Sequence, residues 1–124
     1  MIAGLGVDSV EVGRFRKVAA RRGKPFLRRL FTPAELKYCL GHRDAFPRLA
    51  ARFAAKEALL KSLDAKGEWR WRDMEVRRAE SGKPSVALHG RAAAFARRRK
   101  VRSFHLSLTH DAGRATAVVV AVGR

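Results

Sequence analysis

The longest helical pattern in the chain runs from residue 48 to residue 66, and Gly67 ends it. At about 100° of rotation per residue, four large apolar side chains share one stripe of this segment: Leu49, Phe53, Leu60 and Leu63. An amphipathic helix of this kind buries its apolar stripe against another element. The rest of the chain therefore has to supply a layer that covers this stripe.

The apolar period changes to two after Gly67, which predicts strands in the second half of the chain. Four apolar residues with this period flank the turn at residues 81–84 and predict a hairpin: Met74, Val76, Val86 and Leu88. A short helix and two strands are predicted next, at residues 91–99, 101–109 and 115–122. Turn residues at positions 111–113 join these two strands.

The chain begins with a predicted strand over residues 2–7. One face of this strand is nearly free of side chains, because Gly4 and Gly6 occupy it, and another element can approach that backbone closely. Asp8 or the serine after it is expected to cap a following helix, with Glu11 placed to complete a capping box.

A second helix is predicted to begin at Thr32 and to end at Gly41. Thr32 can cap it, Pro33 suits its first turn and Glu35 can complete a capping box. Strands and helices in one chain of 124 residues predict a single α+β domain over residues 1–124, with a mainly antiparallel sheet packed against helices. The core of such a chain is small and would gain from burial against further copies.

The composition is strongly basic, with 28 Lys and Arg against 11 Asp and Glu and a net charge of +17. This balance indicates an acidic partner, and composition alone favours nucleic acid. The single cysteine, Cys39, can form neither an internal disulfide nor a metal-binding pair. No stretch approaches the roughly 20 apolar residues of a membrane span, and the apolar start lacks a basic leader, so we expect a cytoplasmic protein that does not act at a membrane.

The long helix carries the side chains with the most chemical promise. Glu57 and Lys61 lie four residues apart, beside alanines that permit close approach, although an exposed ion pair would have the same spacing. Lys56 projects into the apolar stripe, and snorkelling of its stem is the simplest account. Asp8 can be a helix cap or a ligand. The region around it lacks the third glycine that a dinucleotide-binding Gly-x-Gly-x-x-Gly motif would need, so that motif is excluded.

The predicted strand at residues 101–109 alternates polar and apolar side chains towards its end. His105, Ser107 and Thr109 share one face, where they can donate hydrogen bonds to phosphate or pair with a neighbouring strand. Ser107 lacks the context of a hydrolase nucleophile.

Five motifs are spread along nearly the whole chain, from Gly6 to His110. They are Gly6-Val7-Asp8 with Arg14-Phe15, Phe31-Thr32-Pro33-Ala34-Glu35 with Tyr38, Ala51-Arg52-Phe53-Ala54-Ala55-Lys56-Glu57-Ala58 with Lys61, Gly82-Lys83-Pro84, and Ser107-Leu108-Thr109-His110. In order and spacing the chain resembles the holo-acyl-carrier-protein synthase family, the small bacterial type of 4′-phosphopantetheinyl transferase. The block that contains Glu57 is the most specific of the five.

The resemblance implies transfer of 4′-phosphopantetheine from coenzyme A to a serine of apo-acyl carrier protein, with release of adenosine 3′,5′-bisphosphate. The modified carrier would serve fatty acid synthesis, with polyketide synthesis as an alternative. Asp8 and Glu57 are the expected Mg²⁺ ligands, because carboxylate oxygens suit a hard cation, and waters and diphosphate oxygens would complete the octahedron. Lys61 is expected to contact the same diphosphate. The base that accepts the serine proton is left open, with a water ligand of the metal as the favoured candidate.

The resemblance also implies where coenzyme A binds. Arg52, His110 and the turn Gly82-Lys83-Pro84 are expected to contact its adenine and phosphates, since a guanidinium suits a phosphate and a glycine turn permits backbone approach. Family members of this length are typically homotrimers with sites between subunits, so we expect a homotrimer here.

An acyl carrier protein is acidic, which offers a second explanation for the basic charge. Arg14, Lys17 and Arg21 share one stripe of the first predicted helix, and Val18 lies between them as an apolar contact. This stripe is a predicted docking surface for the carrier, and a merely solvated basic face is the alternative. A basic nucleic-acid-binding protein remains the rival function, although Asp8 and Glu57 would repel a phosphate backbone without a bridging cation.

Overall fold

Two antiparallel sheets and five helices make up residues 1–123, the part of the chain that the structure, a computed structural model, describes. Residue 124 of the predicted domain lies outside this range. The elements are β1 (Ile2–Glu11), α1 (Val12–Arg22), α2 (Lys24–Leu30), α3 (Pro33–Leu40), α4 (Phe46–Ser62), a 3₁₀ turn (Trp71–Asp73), β2 (Met74–Arg78), β3 (Pro84–Leu88), α5 (Gly90–Arg98), β4 (Val101–Asp111) and β5 (Arg114–Gly123). The predicted α+β class with antiparallel sheets on helices is confirmed.

Strand β1 packs so closely on α4 that only glycine fits at two of its positions. A Cβ atom on Gly6 would lie 1.9 Å from the carbonyl oxygen of Ala58, and one on Gly4 would lie 1.8 Å from that of Ser62. The prediction of a face free of side chains is therefore confirmed, and α4 is the element that approaches it. The larger sheet has the order β1-β5-β4, and the hairpin β2-β3 forms the second sheet.

Helix α4 is buried on nearly all sides. Leu49, Leu60 and Leu63 of the predicted stripe are buried, and Phe53 is half-buried. Small side chains on the other faces let neighbouring elements approach: Ala50, Ala51, Ala54, Ala55 and Ala58. The sheet and the surrounding helices thus supply the covering layer that the sequence requires.

The end of α4 differs from the prediction. The helix stops at Ser62, five residues before Gly67, because Asp64 takes a left-handed conformation with a φ of 51°. The amide of Ala65 then donates to the carbonyl of Leu60 at 2.9 Å, which is the hydrogen bond of a Schellman termination.

The predicted cap of the first helix is wrong. Residues 8–11 continue β1, with Asp8 paired to Ala117 of β5, and α1 begins only at Val12 with no side-chain cap. The Val12 amide instead donates to the Gly113 carbonyl at 2.9 Å, so sheet pairing has taken the backbone groups that a helix would use. Asp8 is therefore free of a capping role.

Helix α3 confirms the predicted capping box. Thr32 Oγ1 accepts from the Glu35 amide at 3.2 Å, and Glu35 Oε1 accepts from the Thr32 amide at 2.8 Å. The short helix α2 was not predicted from the sequence. In the described part of the chain, no helix combines the length and the apolar character that crossing a membrane requires.

Candidate active site

Asp8 from β1 and Glu57 from α4 line one cavity of about 500 Å³. The close approach at Gly6 brings the two elements together, and it places their carboxylates on the same opening. Burial raises the pKa of Glu57, the negative charge of Asp8 raises it further, and Lys61 opposes both effects. Two neighbouring carboxylates on one opening, one of them with a raised pKa, favour a bound cation.

Lys61 pairs with Asp8 rather than with Glu57. Its ammonium donates to Asp8 Oδ1 at 3.1 Å and to the Val7 carbonyl at 3.0 Å, and about half of its side chain remains exposed. The exposed helical Glu57–Lys61 ion pair considered from the sequence is therefore not formed. Lys61 does not itself line the cavity, but its ammonium lies beside Asp8, which does.

A second cavity, of about 450 Å³, lies between α3, α4, the β2-β3 turn and β4. The residues predicted to contact the adenine and phosphates of coenzyme A line it: Arg52, Gly82, Lys83, Pro84 and His110. Lys61, which was predicted to contact the diphosphate, does not. No carboxylate contributes to its lining among residues 1–123. Of the three polar residues that share a face of β4, only Ser107 reaches this cavity.

Three further residues of the second cavity were missed as site residues. The sequence places Tyr38 in a motif without indicating its role, and it marks neither Arg48 nor Arg78. The guanidinium carbon of Arg52 lies 4.5 Å from the centre of the Tyr38 ring, and that of Arg78 lies 5.6 Å from it. Nothing in the sequence distinguishes Arg48 and Arg78 from the many other arginines, since only the fold brings α4 and β2 to the same cavity.

The turn at Gly82 has a conformation that favours glycine. Its φ is 91°, and a Cβ atom there would lie 3.1 Å from Nη2 of Arg78. Glycine therefore lets the turn close over the Arg78 guanidinium at the edge of the cavity.

Only part of the predicted docking stripe borders the carboxylate cavity. Arg14, Lys17 and Arg21 are exposed on α1, as expected. Arg14 and Val18 line the carboxylate cavity, whereas Lys17 and Arg21 do not. Phe26 and Phe53 extend the apolar part of this cavity beside Val18.

The interpretation of Lys56 as a snorkelling side chain is wrong. Lys56 is 1% exposed, and its ammonium donates to Glu35 Oε1 at 2.7 Å and to the Leu30 carbonyl at 2.6 Å. Burial lowers the pKa of Lys56, and Glu35 opposes this effect. The lysine points away from both cavities into a polar cluster, which the apolar stripe gave no reason to expect.

The two cavities share no lining residue among residues 1–123. One opening thus carries paired carboxylates that suit a cation, and the other carries cationic side chains that suit an anion. Within the described residues, no cluster of three or more His, Cys, Asp or Glu could hold a metal ion by itself. A cation at Asp8 and Glu57 would take its other ligands from substrate and water.

Comparison with known proteins decides the family. The model of the 4′-phosphopantetheinyl transferase superfamily matches residues 4–119. The holo-[acyl-carrier-protein] synthase of Anaeromyxobacter sp. (strain K) is 50% identical over 126 residues, which cover 99% of this chain and 98% of the relative. The chain belongs to the holo-acyl-carrier-protein synthase family. The synthase of Streptomyces griseus is 48% identical, with 99% of this chain and 100% of the relative covered.

Solved structures of holo-acyl-carrier-protein synthases have the same fold. The synthase of Neisseria meningitidis is similar with a TM-score of 0.90 and 28% identity, covering 98% of this chain and 99% of that one. The synthase of Helicobacter pylori, solved in complex with coenzyme A, is similar with a TM-score of 0.83 and 30% identity, covering 95% and 99%. The resemblance drawn from the five sequence motifs is therefore confirmed.

Proposed function

We propose that this synthase transfers the 4′-phosphopantetheine group from coenzyme A to a serine hydroxyl of apo-acyl carrier protein and releases adenosine 3′,5′-bisphosphate. The observation that carries the proposal is the 50% identity to a holo-acyl-carrier-protein synthase over practically the whole chain. The reaction makes the chain a transferase that activates a carrier for fatty acid synthesis. The two cavities, one with carboxylates and one with cations, are consistent with a substrate that carries both a diphosphate and a separate phosphate.

The bond changes of the reaction suggest a task for Lys61, which pairs with Asp8 of the carboxylate cavity. The serine oxygen forms a bond to the phosphorus next to pantetheine, the bond from that phosphorus to the bridging oxygen breaks, and the serine proton passes to a base. Negative charge develops on the diphosphate oxygens during this exchange. Lys61, held beside Asp8, is our candidate for stabilising that charge.

Asp8 and Glu57 are our proposed Mg²⁺ ligands. The residues fit this ion, since both are hard oxygen donors on one opening and the charge of Asp8 raises the pKa of Glu57. Bound there, Mg²⁺ would supply positive charge at the diphosphate. The protein itself orients the two carboxylates, through the tight contact between β1 and α4 at Gly6.

The cationic cavity is our proposed site for the 3′-phosphate and adenine of coenzyme A. A phosphate can bind there without a metal ion, because cationic side chains line the cavity and no carboxylate of the described residues opposes them. Arg52 and Lys83 supply positive charge, His110 supplies a ring that can donate or stack, and Gly82 and Pro84 shape the turn.

We further propose that the single domain of residues 1–124 assembles as a homotrimer, with each site between two subunits. One face of the larger sheet is exposed and apolar, although apolar patches of this kind are usually covered: Ile2, Leu5, Val7 and Val118. The occupant we propose is a second copy of the chain. Assembly would also bring the carboxylate cavity of one copy near the cationic cavity of the next, which explains why they share no residue within one chain.

The carrier is proposed to dock on α1. Arg14, Lys17 and Arg21 present positive charge to an acidic partner, and Val18 with Phe26 offers an apolar contact beside the carboxylates. A carrier held there would present its serine to the opening that contains Asp8 and Glu57. A nucleic acid on the same surface would meet those carboxylates as well, which disfavours the rival function.

Mass spectrometry of the carrier tests the function directly. The protein is incubated with coenzyme A, Mg²⁺ and an apo-acyl carrier protein, and the carrier should gain the mass of one phosphopantetheine group. A reaction with a chelator in excess and a carrier whose serine is replaced by alanine should give no product. An unmodified carrier in the complete mixture overturns the proposal.

A further inference from the structure

The Tyr38 ring lies between two guanidinium groups of the cationic cavity. The guanidinium carbon of Arg52 is 4.5 Å from the ring centre, and that of Arg78 is 5.6 Å away. Arg78 also donates a hydrogen bond from Nη1 to the phenolic oxygen of Tyr38. One aromatic side chain thus contacts an arginine of α4 and an arginine of β2, and all three line the same cavity.

Cationic side chains that cluster repel one another, so they need compensating contacts to stay close together. Arg48, Arg52, Arg78 and Lys83 line this cavity, and no carboxylate does so in the described residues. A ring with a negative π-face and a phenolic oxygen attracts guanidinium groups on two sides. Partial burial raises the pKa of Tyr38, but the surrounding arginines, Arg48, Arg78 and Arg52, outweigh it, so this pKa lies below its ordinary value. A lowered pKa is expected for a phenol that stabilises nearby positive charge.

The backbone and a neighbouring ring fix Tyr38 in turn. His42 Nδ1 lies 2.9 Å from the Tyr38 carbonyl oxygen, and the two rings meet edge to face with centres 4.7 Å apart. Arg52 is 5% exposed, and its Nε atom has no partner within residues 1–123. The Tyr38 ring therefore stabilises a guanidinium whose buried Nε has no acceptor among the described residues.

We propose that Tyr38 is a positioning residue that holds Arg52 and Arg78 towards the 3′-phosphate of coenzyme A, and that it thereby sets the preference for coenzyme A over 3′-dephospho-coenzyme A. The inference rests on the proposed function, since it concerns the substrate of that reaction. Two guanidiniums already held in place lose little freedom when they bind a phosphate, whereas free arginines would have to be ordered by the ligand. Tyr38 itself donates nothing to the reacting diphosphate, which the other cavity is proposed to bind.

Two substitutions separate the ring from the hydroxyl. Tyr38→Phe keeps the π-face for Arg52 and removes the acceptor for Arg78, and Tyr38→Leu removes both. We expect the KM for coenzyme A to rise about threefold in the first variant and about tenfold or more in the second, with kcat within about twofold of wild type. The KM for 3′-dephospho-coenzyme A should stay nearly constant, so the preference between the two substrates falls by the same factors.

A double-substitution cycle tests whether Tyr38 acts through Arg78. Arg78→Gln alone should raise the KM for coenzyme A, and adding Tyr38→Phe to it should raise the KM by less than about a further 1.5-fold, because the hydrogen bond has already gone. Independent roles would multiply the two effects. Lys37→Ala, at an exposed neighbour on α3, is the matched control and should leave both KM values unchanged.

Calorimetry with adenosine 3′,5′-bisphosphate and adenosine 5′-monophosphate distinguishes this inference from the proposed function. Binding of the bisphosphate should weaken in the Tyr38 variants, and binding of the monophosphate should not, whether or not the protein modifies a carrier. A merely structural role would lower the melting temperature and weaken both ligands alike. Equal losses for both nucleotides, or no loss in Tyr38→Leu, would overturn the inference.

Discussion

The ammonium nitrogen of Lys56 lies 2.7 Å from Glu35 Oε1, and neither side chain is reached by solvent. This ion pair joins α4 to α3 inside the protein. The second oxygen of Glu35 accepts from the Val76 amide at 2.9 Å, and Lys56 also donates to the Trp71 carbonyl at 3.3 Å. Glu57 is the next residue on α4, so the contacts of Lys56 also fix the rotation of the helix that directs the Glu57 carboxylate towards β1.

Removal of Lys56 should destabilise the protein strongly. Lys56→Met keeps most of the side-chain volume but leaves the Glu35 carboxylate buried without its cation, which costs about 3–5 kcal/mol. Combining it with Glu35→Gln should cost less than the sum of the two single losses, since no unpaired charge then remains. Urea denaturation of the three variants measures these differences, and strictly additive losses would show that the two side chains do not act as a pair.

The exposed pair of Arg16 and Asp44 is a matched control for that cycle. It has the same N–O distance of 2.7 Å, but its side chains are 46% and 49% exposed. Arg16→Met should therefore cost less than about 1 kcal/mol. The contrast between Lys56→Met and Arg16→Met separates the effect of burial from the effect of contact distance.

The sequence predicted the elements that local patterns encode and missed what depends on distant contacts. The capping box at Thr32 and the glycine face of β1 follow from neighbouring residues, and both are confirmed. Lys56 was misinterpreted because its partner Glu35 lies 21 residues away, on another helix. Arg78 was missed for the same reason, since its place beside Tyr38 depends on the packing of β2 near α3.

Neutral substitutions of the two proposed metal ligands should abolish transfer without unfolding the protein. Asp8→Asn and Glu57→Gln each remove one charge with little change in volume, and the loss of several kcal/mol of charge stabilisation corresponds to a rate lower by about a hundredfold or more. Carrier modification at limiting Mg²⁺ measures this rate. Asp64→Asn, at an exposed position beyond α4, is the control and should retain activity. Near wild-type turnover in either variant would remove that residue from the metal site.

The exposed apolar sheet face should be the assembly surface. Sedimentation equilibrium should give a mass three times the 13.8 kDa of one chain, and Leu5→Glu, at a side chain 64% exposed in the single chain, should reduce it to that of one chain. Carrier modification should fall with it, because each site is proposed to need two subunits. Leu40→Glu, at 60% exposure on α3, is the control for adding charge at an exposed leucine. An active preparation of single chains would contradict the trimer.

Glu75 should make the protein lose stability in acid. Burial raises its pKa, but hydrogen bonds from Thr32, His89 and Arg77 outweigh this, so the pKa lies below its ordinary value. A lowered carboxylate pKa contributes stability above the unfolded value of about 4.3, and that contribution is lost as the pH falls through the folded value. Glu75→Gln should thus be less stable than wild type in urea at pH 7, with a smaller difference below pH of about 4. A difference that does not change with pH would mean that the charge of Glu75 contributes nothing.

The charge of α1 should govern encounter with the carrier. Replacing Arg14 and Arg21 by Glu turns attraction to an acidic partner into repulsion, so the KM for the carrier should rise about tenfold or more at low salt, with coenzyme A binding nearly unchanged. The wild-type reaction should slow as salt rises, because exposed charges are screened beyond about 8–10 Å. An unchanged KM for the carrier would exclude this helix from the docking surface.

A second double reversal separates docking from net charge. Arg97 lies in the last turn of α5 and Lys100 lies two residues beyond its end. Both are exposed, and replacing both by Glu changes the net charge by the same amount. If α1 is the docking surface, this control should leave the KM for the carrier close to that of wild type. A general effect of basicity would raise it equally in both variants.

The rival nucleic-acid function predicts a third pattern, in which duplex binding falls steeply with salt and with the α1 reversal while carrier modification stays constant. Carrier kinetics and duplex binding measured on both double reversals therefore distinguish the three accounts. Docking on α1 predicts a higher KM for the carrier in the α1 reversal alone, a general effect of basicity predicts it in both reversals, and the nucleic-acid function predicts a loss of duplex binding with unchanged carrier modification.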